Sequence, residues 1–245
     1  MTADALIVFV GALAGGLISG LTGFGTGLIA LPIWLNVIPL FLGAPLVAIC
    51  SIAAQLQTLP AIVHAINLRR LAPFVAGGAL GVPCGTWLLS RVSVDGVRIA
   101  LGLLLSVVCA TLLAMRRRPP LVTRGGRLAD GLVGLGGGLL GGLAGLSGPL
   151  PTIWAGLRGW GKDERRAVFQ GFNLTVLLLA LTSQAVAGYV TKEVGLLALV
   201  ALPGTFAGAA VGKRLYSRLD TAGFNDIVLG VLFVAGLGTV VSALT

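Results

Sequence analysis

From about position 5 to position 42 the chain carries a largely apolar run of 38 residues without a charged side chain. A single helix needs only about 20 residues to cross a ~30 Å hydrocarbon core, so the run is too long for one span. Glycine breaks it in the middle, at Gly20-Leu-Thr-Gly-Phe-Gly-Thr-Gly27, with Pro32 following. A second largely apolar run, 129–157, breaks at Gly141-Gly-Leu-Ala-Gly-Leu-Ser-Gly-Pro149, with Pro151 following. A chain with two runs of this kind must place irregular backbone inside a bilayer. That is tolerated only where the backbone is buried in protein or lines a cavity.

Six further apolar blocks have the length of one span: 44–66, 71–90, 97–115, 167–190, 194–212 and 224–244. Only 10% of the 245 residues are charged, against roughly 25% in a soluble domain. The mean hydropathy is +1.02. A soluble globule cannot be coated with so few charges, and the expected class is an all-α polytopic membrane protein. The net charge of +9 does not point to nucleic acid, because the basic residues sit in short connections between apolar blocks. Cys50, Cys84 and Cys109 all lie inside apolar blocks without CxxC spacing, and read as small packing residues. The segment Met1-Thr2-Ala3-Asp4-Ala5 has no basic n-region, so no cleaved leader is expected.

The two broken runs match each other. Gly15 to Gly25 aligns with Gly137 to Ser147 at an offset of 122, and Gly77-x3-Gly81-x3-Gly85 recurs as Gly204-x3-Gly208-x3-Gly212 at an offset of 127. Ser-Arg follows both triplets, at Ser90-Arg91 and Ser217-Arg218. The chain therefore reads as two transmembrane repeats, 1–115 and 129–245, joined by a basic linker at 116–128. Glycines four apart share a helix face and allow close helix approach in lipid.

Charge placement discriminates between two topologies. If each broken run crosses once, the halves are parallel and Lys and Arg divide evenly between the two faces. If each run enters and returns, the halves are inverted, and fourteen basic residues fall on one side against Arg91, Arg98 and Lys192 on the other. The second arrangement follows the positive-inside rule, with both termini outside. Each run is then a hairpin or two short spans, which allows up to ten membrane segments in eight blocks.

Glycine-interrupted helices at matched positions of two inverted halves point to a transport site. A half-helix that starts at mid-membrane presents free N–H groups and a partial positive charge, enough to hold an anion without a buried cation. No Lys, Arg, Asp or Glu occupies the centre of any block; Asp4, Asp95, Asp130, Glu193 and Asp226 stand at block ends or in connections. The candidate substrate-binding residues are Gly23, Phe24, Gly25, Thr26 and Gly27 in the first half, with Gly145, Leu146, Ser147 and Gly148 in the second. Ser51, Gln55 and Thr58 share one helix face, and Gln170, Asn173 and Gln184 fall near another; these either line the path or bridge helices. Ser51, Gln55, Gln170 and Asn173 join the candidate list. Gln57 lies off the stripe and reads as a bridge between helices, and Asn67 as a cap. His64, the single histidine, is the one side chain that titrates near neutrality, hence a candidate proton relay; the alternative is an interfacial histidine without a coupling role.

The stretch Gly16-Leu-Ile-Ser-Gly-Leu-Thr-Gly-Phe-Gly-Thr-Gly-Leu-Ile-Ala-Leu-Pro32, its counterpart Gly134–Pro151 and the late glycine triplets resemble the TauE/SafE family of sulfite exporters and related permeases. The second break departs from the family's glycine-rich run by reading Ser147-Gly148-Pro149. The resemblance implies transport of sulfite, organosulfonates or other small sulfur-containing anions, in a bacterial inner membrane. A channel-like facilitator, or a carrier of another small organic anion, stays open beside it. An enzyme is not expected, since HExxH, a His cluster and a Cys pair are all missing from the sequence. No cofactor or metal is expected. The Gly23–Gly27 run lacks the Gly-Lys-[Ser/Thr] ending of a phosphate loop. The expected partners are a small anion and the lipid bilayer, with a homodimer as an open option.

Overall fold

The computed structural model describes residues 2–61, 64, 66–92, 126–158, 160 and 162–219, with the isolated positions 96, 102, 103, 107, 223, 230 and 233. Apart from those positions, the apolar blocks at 97–115 and 224–244 lie outside the described residues, as do Asp95, Cys109, Asp226 and most of the linker.

The described residues are helical throughout their regular structure. The elements are α1 (Thr2–Thr22), α2 (Thr26–Trp34), α3 (Leu40–Thr58), a single 3-10 turn (Leu59–Ala61), α4 (Leu68–Leu89), α5 (Arg127–Ala144), α6 (Pro149–Leu157), α7 (Lys162–Val186) and α8 (Lys192–Tyr216). Five of them, α1, α3, α4, α7 and α8, are long and apolar enough to cross a membrane. The molecule is a multi-pass helical membrane protein.

Each glycine break is the bend of a hairpin. Gly23 and Gly25 take φ values of +85° and +103°, a region that a Cβ disfavours, and the chain reverses there. α2 then runs back along α1: Ala30 and Thr26 lie against Gly15, and the Trp34 indole N–H donates to the Val8 carbonyl at 3.0 Å. The second break does the same. Gly145 has φ +70°, and its N–H donates back to the Gly141 carbonyl at 2.9 Å, an αL helix ending. α6 returns along α5 until Trp154 and Arg158 each donate to Asp130 Oδ1 at 2.7 Å. The backbone groups freed at each bend are thereby kept inside protein, as lipid requires. Asn67 caps α4: its Oδ1 accepts from the Arg69 and Arg70 N–H groups at 3.1 and 3.3 Å.

The glycine triplets decide how the halves pack. A Cβ on Gly77, Gly81 or Gly85 would overlap the carbonyl oxygens of Gly131, Leu135 and Leu139 on α5. A Cβ on Gly208 or Gly212 would overlap those of Leu13 and Leu17 on α1. Backbones this close gain dispersion and Cα–H···O contacts that larger residues would forbid. Contact positions rise together along both members of each pair, so α4 runs parallel to α5 and α8 parallel to α1. α4 is also parallel to α7, with Leu71 against Gly171 and Gly78 against Val176. α3 opposes α7, because Gln170 meets Gln55 while Leu177 packs with Ala48 and Ile52. α3 opposes α2, with Gly43 at Leu31 and Val47 at Gly27. Hence α1, α3 and α8 point one way and α4, α5 and α7 the other. Two groups result: α1, α2 and α3 with α8, and α5, α6 and α7 with α4. Each group takes its last helix from the other half of the sequence.

Candidate functional site

The two hairpin bends meet inside the protein. A Cβ on Gly148 would stand 2.6 Å from Phe24 Cβ, and one on Gly27 would stand 2.8 Å from Leu146 Cδ2. From this meeting point α2 runs toward Val8, near the start of α1, and α6 toward Asp130, near the start of α5. The N-termini of the two short helices therefore face each other, so two partial positive ends converge. The first helical bond of α2 is donated by Ile29 to the Gly25 carbonyl at 3.3 Å, which leaves the N–H groups of Thr26, Gly27 and Leu28 without an acceptor in their own helix. The first bond of α6 is donated by Thr152 to the Gly148 carbonyl at 3.2 Å. There the first turn reads Pro149-Leu150-Pro151, and proline has no N–H to offer.

The polar side chains expected at the site come together around these ends. Thr26 is 1% exposed, and its hydroxyl, like that of Ser19, has no hydrogen-bond partner. A buried polar group in that state costs about 1–3 kcal/mol. Gln170 donates from α7 to the Gln55 carbonyl at 3.2 Å and to the Thr58 hydroxyl on α3. Gln55 Oε1 is buried without a partner. The Ser147 hydroxyl donates to Asn173 Oδ1. Ser51, Gly23, Phe24, Gly27, Gly145, Leu146 and Gly148 are buried in the same region, and Gly25 is half-buried. Phe24 fills space there, edge-on to Phe169 with ring centroids 6.2 Å apart.

Other polar residues are elsewhere. His64 is exposed, near the connection into α4, and outside this buried cluster. Gln184 bridges to the second hairpin by donating to the Gly142 carbonyl at 2.9 Å. Gln57 holds α8 through its carbonyl, which accepts from Lys213 Nζ at 3.3 Å. Among the described residues no group of three or more His, Cys, Asp or Glu forms a metal site.

Sequence reasoning missed Arg166. The apolar block drawn from position 167 omitted it, but α7 begins at Lys162 and carries Arg166 into the interior, where it is 1% exposed. Its guanidinium donates to the Gly20 and Leu21 carbonyls at 2.8 and 3.2 Å, capping the negative end of α1. It also lies 3.7 Å from the Tyr216 ring centroid and reaches Gln170 Oε1 at 3.4 Å. A positive side chain thus stands beside Gly23, contrary to an interior built from backbone dipoles alone. Asp130 was another underestimate: it stands at a block end, yet it is buried and paired with Arg158. Hydropathy marks both residues as boundaries, and only partners distant in the sequence offset the cost of burying them.

A family model described as Sulfite exporter TauE/SafE matches residues 7–239. No curated protein and no solved structure matches the chain.

Proposed function

The chain belongs to the TauE/SafE sulfite exporter family, a family of membrane transporters, and on that premise we propose that it carries small sulfur-containing anions such as sulfite or an organosulfonate by alternating access. The observation that carries this reading is the pair of opposed half-helix N-termini, with the Thr26 hydroxyl buried and unpartnered at one of them. An anion there would accept from the N–H groups of Thr26, Gly27 and Leu28 and from Thr26 Oγ1.

We read 1–115 and 129–245 as inverted repeats joined by the 116–128 linker. In support, α1, α3 and α4 each point opposite to α5, α7 and α8, their partners by sequence offset. The fourteen-to-three division of basic residues supports termini outside, and the family resemblance is the ground for a bacterial inner membrane. The moving parts we propose draw helices from both sequence halves. The glycine contacts tie α8 to α1 and α4 to α5, so the bodies that separate are α1–α3 with α8, and α5–α7 with α4. The seam between them runs past Gln170 and Gln55, and past Arg166 and the end of α1. Opening one side of the seam exchanges those hydrogen bonds for water or anion.

Thermal-shift measurements on the purified protein with sulfite, sulfate, thiosulfate, small sulfonates and carboxylates test the substrate class. We expect sulfite or a sulfonate to stabilise the protein, and the Thr26→Val variant to show a much smaller shift while staying folded. A full shift in the variant would remove Thr26 from the site. Counterflow in proteoliposomes separates a carrier from a channel-like facilitator, since only a carrier accumulates labelled anion against an unlabelled pool.

A further inference from the structure

The offset of 127 that relates α4 to α8 also relates two surface cavities. One, of ≈ 350 Å³, is lined on α4 by Pro83, Thr86, Trp87 and Ser90. The other, of ≈ 370 Å³, is lined on α8 by Ala210, Lys213, Arg214 and Ser217, the same four positions advanced by the offset. α4 and α8 are antiparallel, so the cavities open at opposite ends of the molecule. At one end the lining is aromatic and hydroxylic; at the other it carries two cations. The cations are therefore not demanded by the packing at this place in the fold.

The cationic cavity does not stand alone. Gln57 lines it and also lines an apolar groove of ≈ 540 Å³, walled by Ile52 and Leu56 of α3, Leu178 of α7, and Leu202 and Phe206 of α8. Along α8, from Lys213 to Leu202, the rise is about 16 Å. One leaflet of the hydrocarbon core is about 15 Å thick. A charged head site is thus joined to an apolar furrow one leaflet deep. Lys213 spends one donor on the Gln57 carbonyl at 3.3 Å and has two more, and the Arg214 side chain is exposed.

We infer that cavity and groove form one site for an anionic glycerophospholipid, with its phosphate at Lys213, Arg214 and Ser217 and one acyl chain in the groove as far as Leu202. Charge complementarity selects the head, and the depth of the groove selects a lipid rather than a soluble phosphate. The chain lies across the junction of α7 with α3 and α8, so this lipid touches both bodies of the transporter.

Native mass spectrometry of the detergent-purified protein, loaded with phosphatidylglycerol or phosphatidylcholine of matched chains, tests the site. We expect phosphatidylglycerol to be retained preferentially, and the Lys213→Gln/Arg214→Gln variant to lose that preference by roughly ten-fold or more. Arg214→Gln alone, at an exposed side chain, should weaken retention about five-fold and guards against misfolding of the double variant. Soluble glycerol phosphate at equal concentration should leave the lipid bound. Equal retention of both lipids, unchanged retention in the variants, or displacement by glycerol phosphate would each overturn the proposal, the last by reducing the site to an anion pocket. None of these outcomes depends on transport.

Discussion

The two hairpins are built on matching sequence and meet at their bends, yet they offer very different chemistry to a ligand. The first presents a turn of free N–H groups at Thr26, Gly27 and Leu28 and an unpartnered hydroxyl. The second opens on Pro149 and Pro151, so two of its first three residues lack an N–H, and its Ser147 hydroxyl is already spent on Asn173. Its base is tied by Trp154 and Arg158 to the buried Asp130. The geometry of a half-helix end can therefore be shared while its donor capacity is not. On the proposed function, the first hairpin would then be the binding arm and the second the structural arm.

Substitution can break that contrast. The largest effect is expected for Gly25→Val, which places a β-branched residue at φ +103°, with its Cβ 2.9 Å from Ile18 Cγ2. The backbone cost alone is roughly 2–3 kcal/mol, and thermal unfolding should record a marked loss of stability together with loss of transport. Asp130→Asn comes next: removing the charge that accepts from Arg158 and Trp154 should cost about 2 kcal/mol of stability. Anion affinity, measured separately, should hardly change, and a large drop would make the second hairpin a binding arm too. Thr26→Val should do the reverse. Its stability should hold or rise, because an orphaned hydroxyl is removed, while anion affinity falls about ten-fold, or 1.4 kcal/mol. The smallest change is expected for Pro149→Ala, which restores one N–H at the poor end. A gain of about two-fold in affinity by calorimetry would show that proline limits that end, and no gain would place the anion wholly on the first hairpin.

Several local features were readable before any contact was known. Asn67 was expected to cap, and it accepts from two N–H groups of the first turn of α4. The breaks at Gly20–Gly27 and Gly141–Pro149 were found because glycine and proline interrupt an otherwise continuous apolar run. The polar stripe of Ser51, Gln55 and Thr58 followed from helical spacing, and all three are buried. Sequence left open whether a broken run returns as a short hairpin or makes two full spans. That choice depends on Trp34 finding Val8 and on Arg158 finding Asp130, partners 26 and 28 residues away. Arg166 was hidden for a related reason: a hydropathy boundary assumes that charge is exposed, whereas the carbonyls that receive this guanidinium lie 145 and 146 residues earlier.

By itself the sequence determined the solvent, the positions of the breaks and the internal repetition, since apolar length and glycine placement act over a few helical turns. Only the tertiary structure decided which helices pair. Gly81 is equally small whatever faces it; that its neighbour is Leu135 of the other half, and not a helix of its own, is a long-range backbone contact. The same contacts divide the described helices into two groups that each draw on both halves of the sequence, and they bring one donor-rich and one donor-poor helix end face to face. Periodicity records which surface of a helix is small or apolar, but the partner that covers that surface is set by packing of the whole chain.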